Sequence, residues 1–103
     1  MANTAAAASQ LLGAMSNPSR LMILCLLVER DHSVAELEQQ IEISQSALSQ
    51  HLAILRRQKL VESRREMRST YYSISSDRAA AIIETLYREF GDSCDGLVDQ
   101  MSR

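Results

Sequence analysis

The side chains best able to do chemistry fall in one short run. Ser46, Ser49, Gln50, Ala53 and Arg57 recur at intervals that set them within roughly 60° of one direction on a helix, opposite Leu48, Leu52 and Leu55. Serine and glutamine can hydrogen-bond base edges or phosphates, a small Ala53 lets the backbone approach or meets a thymine methyl, and Arg57 anchors a phosphate. Ser44 and Gln45 open the same run and join this surface. Standing alone, such a face reads as ordinary solvated helix; its neighbours are what turn it towards DNA.

Those neighbours are basic. Arg64, Arg65 and Arg68 surround the tip of a strand-like hairpin, where a cation can reach a minor groove or flanking phosphates. Strand alternation sends Arg64 and Arg65 to opposite faces, so at most one of them meets DNA, and Arg68 at the turn is the preferred contact. The chain's charge of −2 is unevenly spread. Residues 1–43 carry −3, residues 44–76 carry +4 and residues 77–103 carry −3, so a basic island lies between acidic flanks.

Cys25 and Cys94 are the two cysteines, 69 positions apart and without a Cys-x-x-Cys or Cys/His cluster. A zinc site is therefore not expected. In a reducing compartment the pair reads either as two core thiols or as a regulated redox couple. His51 lies beside the leucine stripe and is expected to pack or hydrogen-bond inside the motif, whereas His32, in a loop near Asp31, is expected to be solvated. Two separate histidines support neither a metal site nor an acid–base pair, and no phosphate loop or nucleophile motif is present, so no enzyme and no cofactor are expected.

The elements that must position these residues follow from local signals. Asn17-Pro18 is an N-cap with proline at the first helical position, opening a helix over 18–29. An alanine-rich helix ending in Leu11, Leu12 and Met15 precedes it, weakened by Gly13. Ser33-Val34-Ala35-Glu36 is a capping box that starts a short helix to about residue 40, and after a turn at 41–43 Ser44 caps the polar-faced helix, which ends near residue 58. Two short helices across such a turn make a helix-turn-helix, whose second helix enters a major groove. Runs 60–66 and 69–75 are strand-like and joined through Met67-Arg68, forming a wing. From about Asp77 a last helix carries Ile83, Leu86, Tyr87, Phe90, Cys94, Leu97 and Met101, with Gly91 and Gly96 able to interrupt it.

The expected fold is thus mainly α with a β-hairpin wing, one winged helix-turn-helix domain over residues 1–103. With 46% apolar and 23% charged residues the composition is that of a globular domain, not of a disordered or disulfide-dense chain. No apolar run approaches the roughly 20 residues of a membrane span, and the alanine-rich start lacks the basic region of a secretory signal, so a cytoplasmic protein without a membrane partner is expected.

The run Ser44-Gln45-Ser46-Ala47-Leu48-Ser49-Gln50-His51-Leu52, with Leu55-Arg56 and Leu60-Val61, closely resembles the ArsR/SmtB family of winged-helix repressors. Asn17-Pro18-Ser19-Arg20 and Tyr71-Tyr72-Ser73-Ile74 fit as well, and the likeness runs over residues 11–90. It implies a homodimer built from the first and last helices that binds double-stranded operator DNA and releases it on sensing an inducer. The family's metal sites do not carry over: residues 26–41 hold no cysteine and residues 77–103 no histidine. Cys25 and the Ser44–His51 run look most like the branch that senses reactive sulfur or oxidants through two cysteines, the second of which falls at Gly91, three residues before Cys94. The readings set beside a thiol-switched repressor are a repressor of the same fold answering an organic effector or a metal, and a protein-interaction module that has lost DNA binding.

Overall fold

The structure is a computed structural model that describes residues 2–91. Five helices and three short strands follow one another as α1 (Ala2–Met15), α2 (Pro18–Glu29), β1 (His32–Ser33), α3 (Val34–Gln40), α4 (Gln45–Arg57), β2 (Val61–Glu66), β3 (Ser69–Ile74) and α5 (Asp77–Phe90). The architecture is the expected one, helical with a β-hairpin wing.

α2 is apolar on nearly every side and becomes the central helix of the core, burying Ile23, Leu24, Cys25 and Leu27. Asn17 caps it by accepting the Arg20 backbone N–H at 3.1 Å, and Pro18 sits where a missing N–H costs nothing. Around α2 gather Leu37 of α3, Leu48, Leu52 and Leu55 of α4, and Ala79 and Ile83 of α5. α1 contributes Ala14 and Met15 at its end, while residues 3–10 are exposed. Gly13 does not break α1; a side chain there would meet nothing within 4 Å.

Among the described residues no single helix is long and apolar enough to cross a membrane. α1 and α2 would reach that length only together, and they are bent by 95° at their break.

β1, β3 and β2 form one antiparallel sheet in that order, with β2 and β3 in register from Val61↔Ile74 to Glu66↔Ser69. β1 corrects the expectation of a loop at His32. His32 and Ser33 pair with Tyr72 and Tyr71, and His32 is 2% exposed with its Nδ1 at 2.9 Å from the Arg30 carbonyl oxygen, so it is a buried strand residue and not a solvated one. Two residues are too few to show strand periodicity; only the neighbouring strand makes this one.

α5 begins at the Ser76 cap and stops at Gly91, whose φ of 147° belongs to a region that side-chain-bearing residues rarely adopt. The interruption expected at Gly91 is therefore found. Cys94, Gly96, Leu97 and Met101 lie outside the described residues.

Candidate nucleic-acid interface

Capping chemistry fixes the helix-turn-helix from both sides of its turn. At α3 the Ser33 hydroxyl accepts the Glu36 N–H at 3.1 Å while the Glu36 carboxylate accepts the Ser33 N–H at 2.8 Å. At α4 the Ser44 hydroxyl accepts the Ala47 N–H at 3.1 Å and lies 3.3 Å from the Ser46 hydroxyl. Ser44 is thus a cap first, with an exposed hydroxyl beside a second one.

The end of α4 is equally defined. Lys59 takes φ 64°, its N–H bonds the Arg56 carbonyl at 3.0 Å, and the Leu60 N–H bonds the Leu55 carbonyl at 2.9 Å. This paired 5→2 and 6→1 arrangement closes the helix and throws the chain into β2, with Leu55 and Leu60 both buried beneath it.

Between these ends α4 divides as its spacing predicts. Leu48, Leu52 and Leu55 are at most 2% exposed, whereas Gln45, Ser46, Ser49, Gln50, Ala53 and Arg57 all face solvent. Ser49, Ala53, Arg56 and Arg57 form one wall of an open groove whose other wall is Val34 at the start of α3 and Tyr72 of β3. Arg56, absent from the expected contacts because it lies off the centre of the polar face, enters through this groove.

The hairpin turn consists of Met67 and Arg68. Met67 adopts φ 57°, a conformation that favours glycine, and projects 98% exposed at the tip. Arg68 beside it is exposed.

The arginines sort into two classes. Arg64 lies 2.6 Å from Asp31 and 3.1 Å from Glu66, with its guanidinium 5.2 Å from the centre of the Tyr71 ring. The hydrogen bond to Glu66 first, then that to Asp31, holds its pKa above the ordinary value. It therefore clips the wing to the α2–β1 junction. By contrast Arg56, Arg57, Arg65 and Arg68 make no side-chain hydrogen bond or ion pair with the described residues and stand open to solvent. Of the two arginines that alternation sends apart, Arg64 is engaged and Arg65 is exposed.

His51 is half-buried on the flank of α4, its Nδ1 3.3 Å from Arg20 Nη1. Burial, and after it the Arg20 charge, lowers its pKa. It packs inside the motif as expected. Cys25 is fully buried, and its thiol donates to the Tyr87 hydroxyl at 3.3 Å. Among the described residues no group of three His, Cys, Asp or Glu side chains could hold a metal ion.

Comparison with known proteins agrees with this geometry. Residues 17–63 match the family described as bacterial regulatory protein, arsR family. The transcriptional activator HlyU of Vibrio cholerae is 50% identical over 88 residues, 85% of this chain and 82% of that protein. The nodulation protein NolR of Rhizobium meliloti is 44% identical over 93 residues, 90% of this chain and 76% of that one. The structure of reduced HlyU superposes with a TM-score of 0.84 at 49% identity, covering 87% of this chain and 95% of that one. The structure of the transcriptional repressor BigR from Xylella fastidiosa gives 0.82 at 43%, covering 87% and 92%. An exposed polar helix flanked by open arginines, on a scaffold shared with these regulators, identifies the chain as a member of the ArsR family of winged helix-turn-helix transcriptional regulators, a class of DNA-binding proteins and not of enzymes.

Proposed function

We propose that the chain is a single-domain cytoplasmic repressor that binds an imperfect palindromic operator as a homodimer and lets go of it when Cys25 and Cys94 are oxidised or joined through added sulfur. The observation that carries the DNA-reading part is the exposed face of α4 with its open arginines. Gln50, Ser46 and Ser49 read base edges; Ser44 and Gln45 meet the backbone at the amino end of the helix, Arg57 at its other end, and Arg68 from the wing.

Dimerisation is supported by an apolar groove where Leu12 and Met15 of α1 approach Leu21 of α2 and Ile82 and Leu86 of α5. Leu12 is 54% exposed there and Phe90 is 47% exposed at the end of α5, surfaces that a second copy would cover. Repression is supported by relatives named as biofilm growth-associated repressors, one of them 45% identical over 82 residues, although HlyU is named an activator.

The thiol switch rests on Cys25 in the core beside α5 and on a relative whose structure is described as reduced. Forming a disulfide passes two electrons to a peroxide or polysulfide and releases both thiol protons. It also needs the two Cα atoms within about 7 Å, so the segment after Gly91 must come to α2. Such a link would shift α5, and with it the spacing of the two α4 helices.

The test is a titration of wild type, Cys25→Ser and Cys94→Ser with the chain's own promoter fragment, before and after persulfide or peroxide. Wild type should lose affinity on treatment and both variants should keep theirs. Equal affinity of treated and untreated wild type, with no cross-linked peptide by mass spectrometry, would make both cysteines core residues. Failure of untreated protein to retard the fragment would leave an interaction module in place of a repressor.

A further inference from the structure

Arg20 joins three helices. Its residue is the third of α2, locked by the Asn17 cap that accepts its backbone N–H at 3.1 Å. Its side chain then runs back, and Nε donates to the Ala14 carbonyl oxygen at 2.6 Å in the last turn of α1. That carbonyl has no partner within its own helix, so a guanidinium there both satisfies it and complements the negative end of the helix dipole. The same guanidinium reaches across the 95° elbow of α1 and α2 to His51 Nδ1 on α4, 3.3 Å away. His51 directly follows Gln50, so this contact is made beside the DNA-reading face.

Arg20 can donate but cannot accept, which fixes the state of the ring. Nδ1 must offer its lone pair, with the imidazole hydrogen on Nε2. A proton on Nδ1 would set donor against donor and cation against cation. The charge acting on the ring is that of Arg20 from α2; α1 presents the Ala14 carbonyl, and Ala47, Leu48, Ile54 and Leu55, the neighbours of His51 on α4, carry no charge.

We propose that Arg20 is a positioning residue that sets the attitude of α4 against the α1–α2 elbow, and that it does so only while His51 is neutral, making operator binding sensitive to protons. The inference rests on α4 as the DNA-reading helix and adds a coupling between that helix and α1. Acidification breaks the tie and frees α4 to shift relative to the rest of the domain. Burial and the Arg20 charge both keep His51 neutral to lower pH than a free imidazole, so the change falls below the ordinary value of 6.5.

The experiment is operator titration at fixed ionic strength from about pH 7.5 to about pH 5.5, with a thermal melt of each protein at each pH. Wild type should weaken by roughly three- to tenfold on acidification, the scale of losing one ordinary intramolecular hydrogen bond. His51→Asn supplies an amide oxygen at the position of Nδ1 and should retain most of the affinity near neutrality with a flat pH profile. Arg20→Ala should be weak and flat. Gln50→Ala separates this inference from the DNA-face reading: it should bind weakly yet keep the wild-type pH profile. A wild-type profile in His51→Asn, wild-type affinity that rises on acidification, or loss of the profile in Gln50→Ala would each overturn the proposal.

Discussion

Tyr87 of α5 and Cys25 of α2 hold one another through two hydrogen bonds: the phenol donates to the Cys25 carbonyl oxygen at 2.8 Å, and the thiol donates to the phenol oxygen at 3.3 Å. Cys25 is 0% exposed, so any reagent or second sulfur that reaches its thiol needs the surrounding packing, the Tyr87 ring included, to open. Tyr87→Phe keeps the ring and removes both bonds. In a Cys94→Ser background it should speed the reaction of Cys25 with a disulfide reagent several-fold and cost about 1 kcal/mol of stability. Kinetics of thiol release and denaturant melts measure the two effects; an unchanged rate would mean that Tyr87 does not guard Cys25.

Gln50 and Arg68 should fail in different ways. Gln50→Ala is expected to cost about 1–3 kcal/mol on the cognate operator and to relax its sequence preference, because an amide can make two hydrogen bonds to one base edge. Arg68→Ala should weaken every sequence alike and reduce the salt slope by about one, the signature of a phosphate contact. Titration of cognate and scrambled duplexes across a salt series distinguishes them. Wild-type binding by both variants would place the DNA on another surface.

Leu12, 54% exposed beside Met15, Leu21, Ile82 and Leu86, should lie in the dimer interface. Leu12→Glu would put an unpaired carboxylate there and should raise the dimer dissociation constant by at least about tenfold while leaving the monomer's fold intact. Sedimentation equilibrium reads the association, and circular dichroism the fold. A wild-type chain that is monomeric at micromolar concentration would remove the basis for two-site operator binding.

Acid should loosen the start of α3. The Ser33 backbone N–H, as the main cause, and the Arg30 charge hold the Glu36 carboxyl below its ordinary value of 4.5 against an opposing effect of burial. Because the folded pKa is the lower one, the stability it contributes is complete above 4.5 and is lost as pH falls through the folded value. Glu36→Gln preserves the capping pattern without the charge and should flatten stability against pH in that acid window. Ser33→Ala should cost about 0.5–2 kcal/mol at neutral pH by removing the cap itself. Urea melts at a series of pH values test both.

Much of the molecule is written in local sequence, and the reason is the same in each case: the signal and the structure it specifies lie within a few residues of one another. Asn17-Pro18, Ser33 with Glu36, and Ser44 cap the helices that they precede. The leucine spacing of α4 divides that helix into a buried and an exposed face without reference to anything distant. A resemblance carried by the same residues leads to the family to which the comparisons assign the chain.

Tertiary structure alone decided what depends on partners far along the chain. His32 becomes a buried strand residue because Tyr72, forty positions later, pairs with it. Arg64 and Arg65 are adjacent and chemically identical, yet Arg64, beside its near neighbour Glu66, is also clipped to Asp31, 33 positions earlier, while Arg65 stays open; the distant tie comes from the approach of the α2–β1 junction to the wing. Arg20 reads as one more cation on α2 until the elbow brings the Ala14 carbonyl and His51 to its guanidinium. Sequence determines the faces that each helix and strand offers; which charges on those faces are spent inside the protein, and which stay open to solvent, is settled only when distant elements meet.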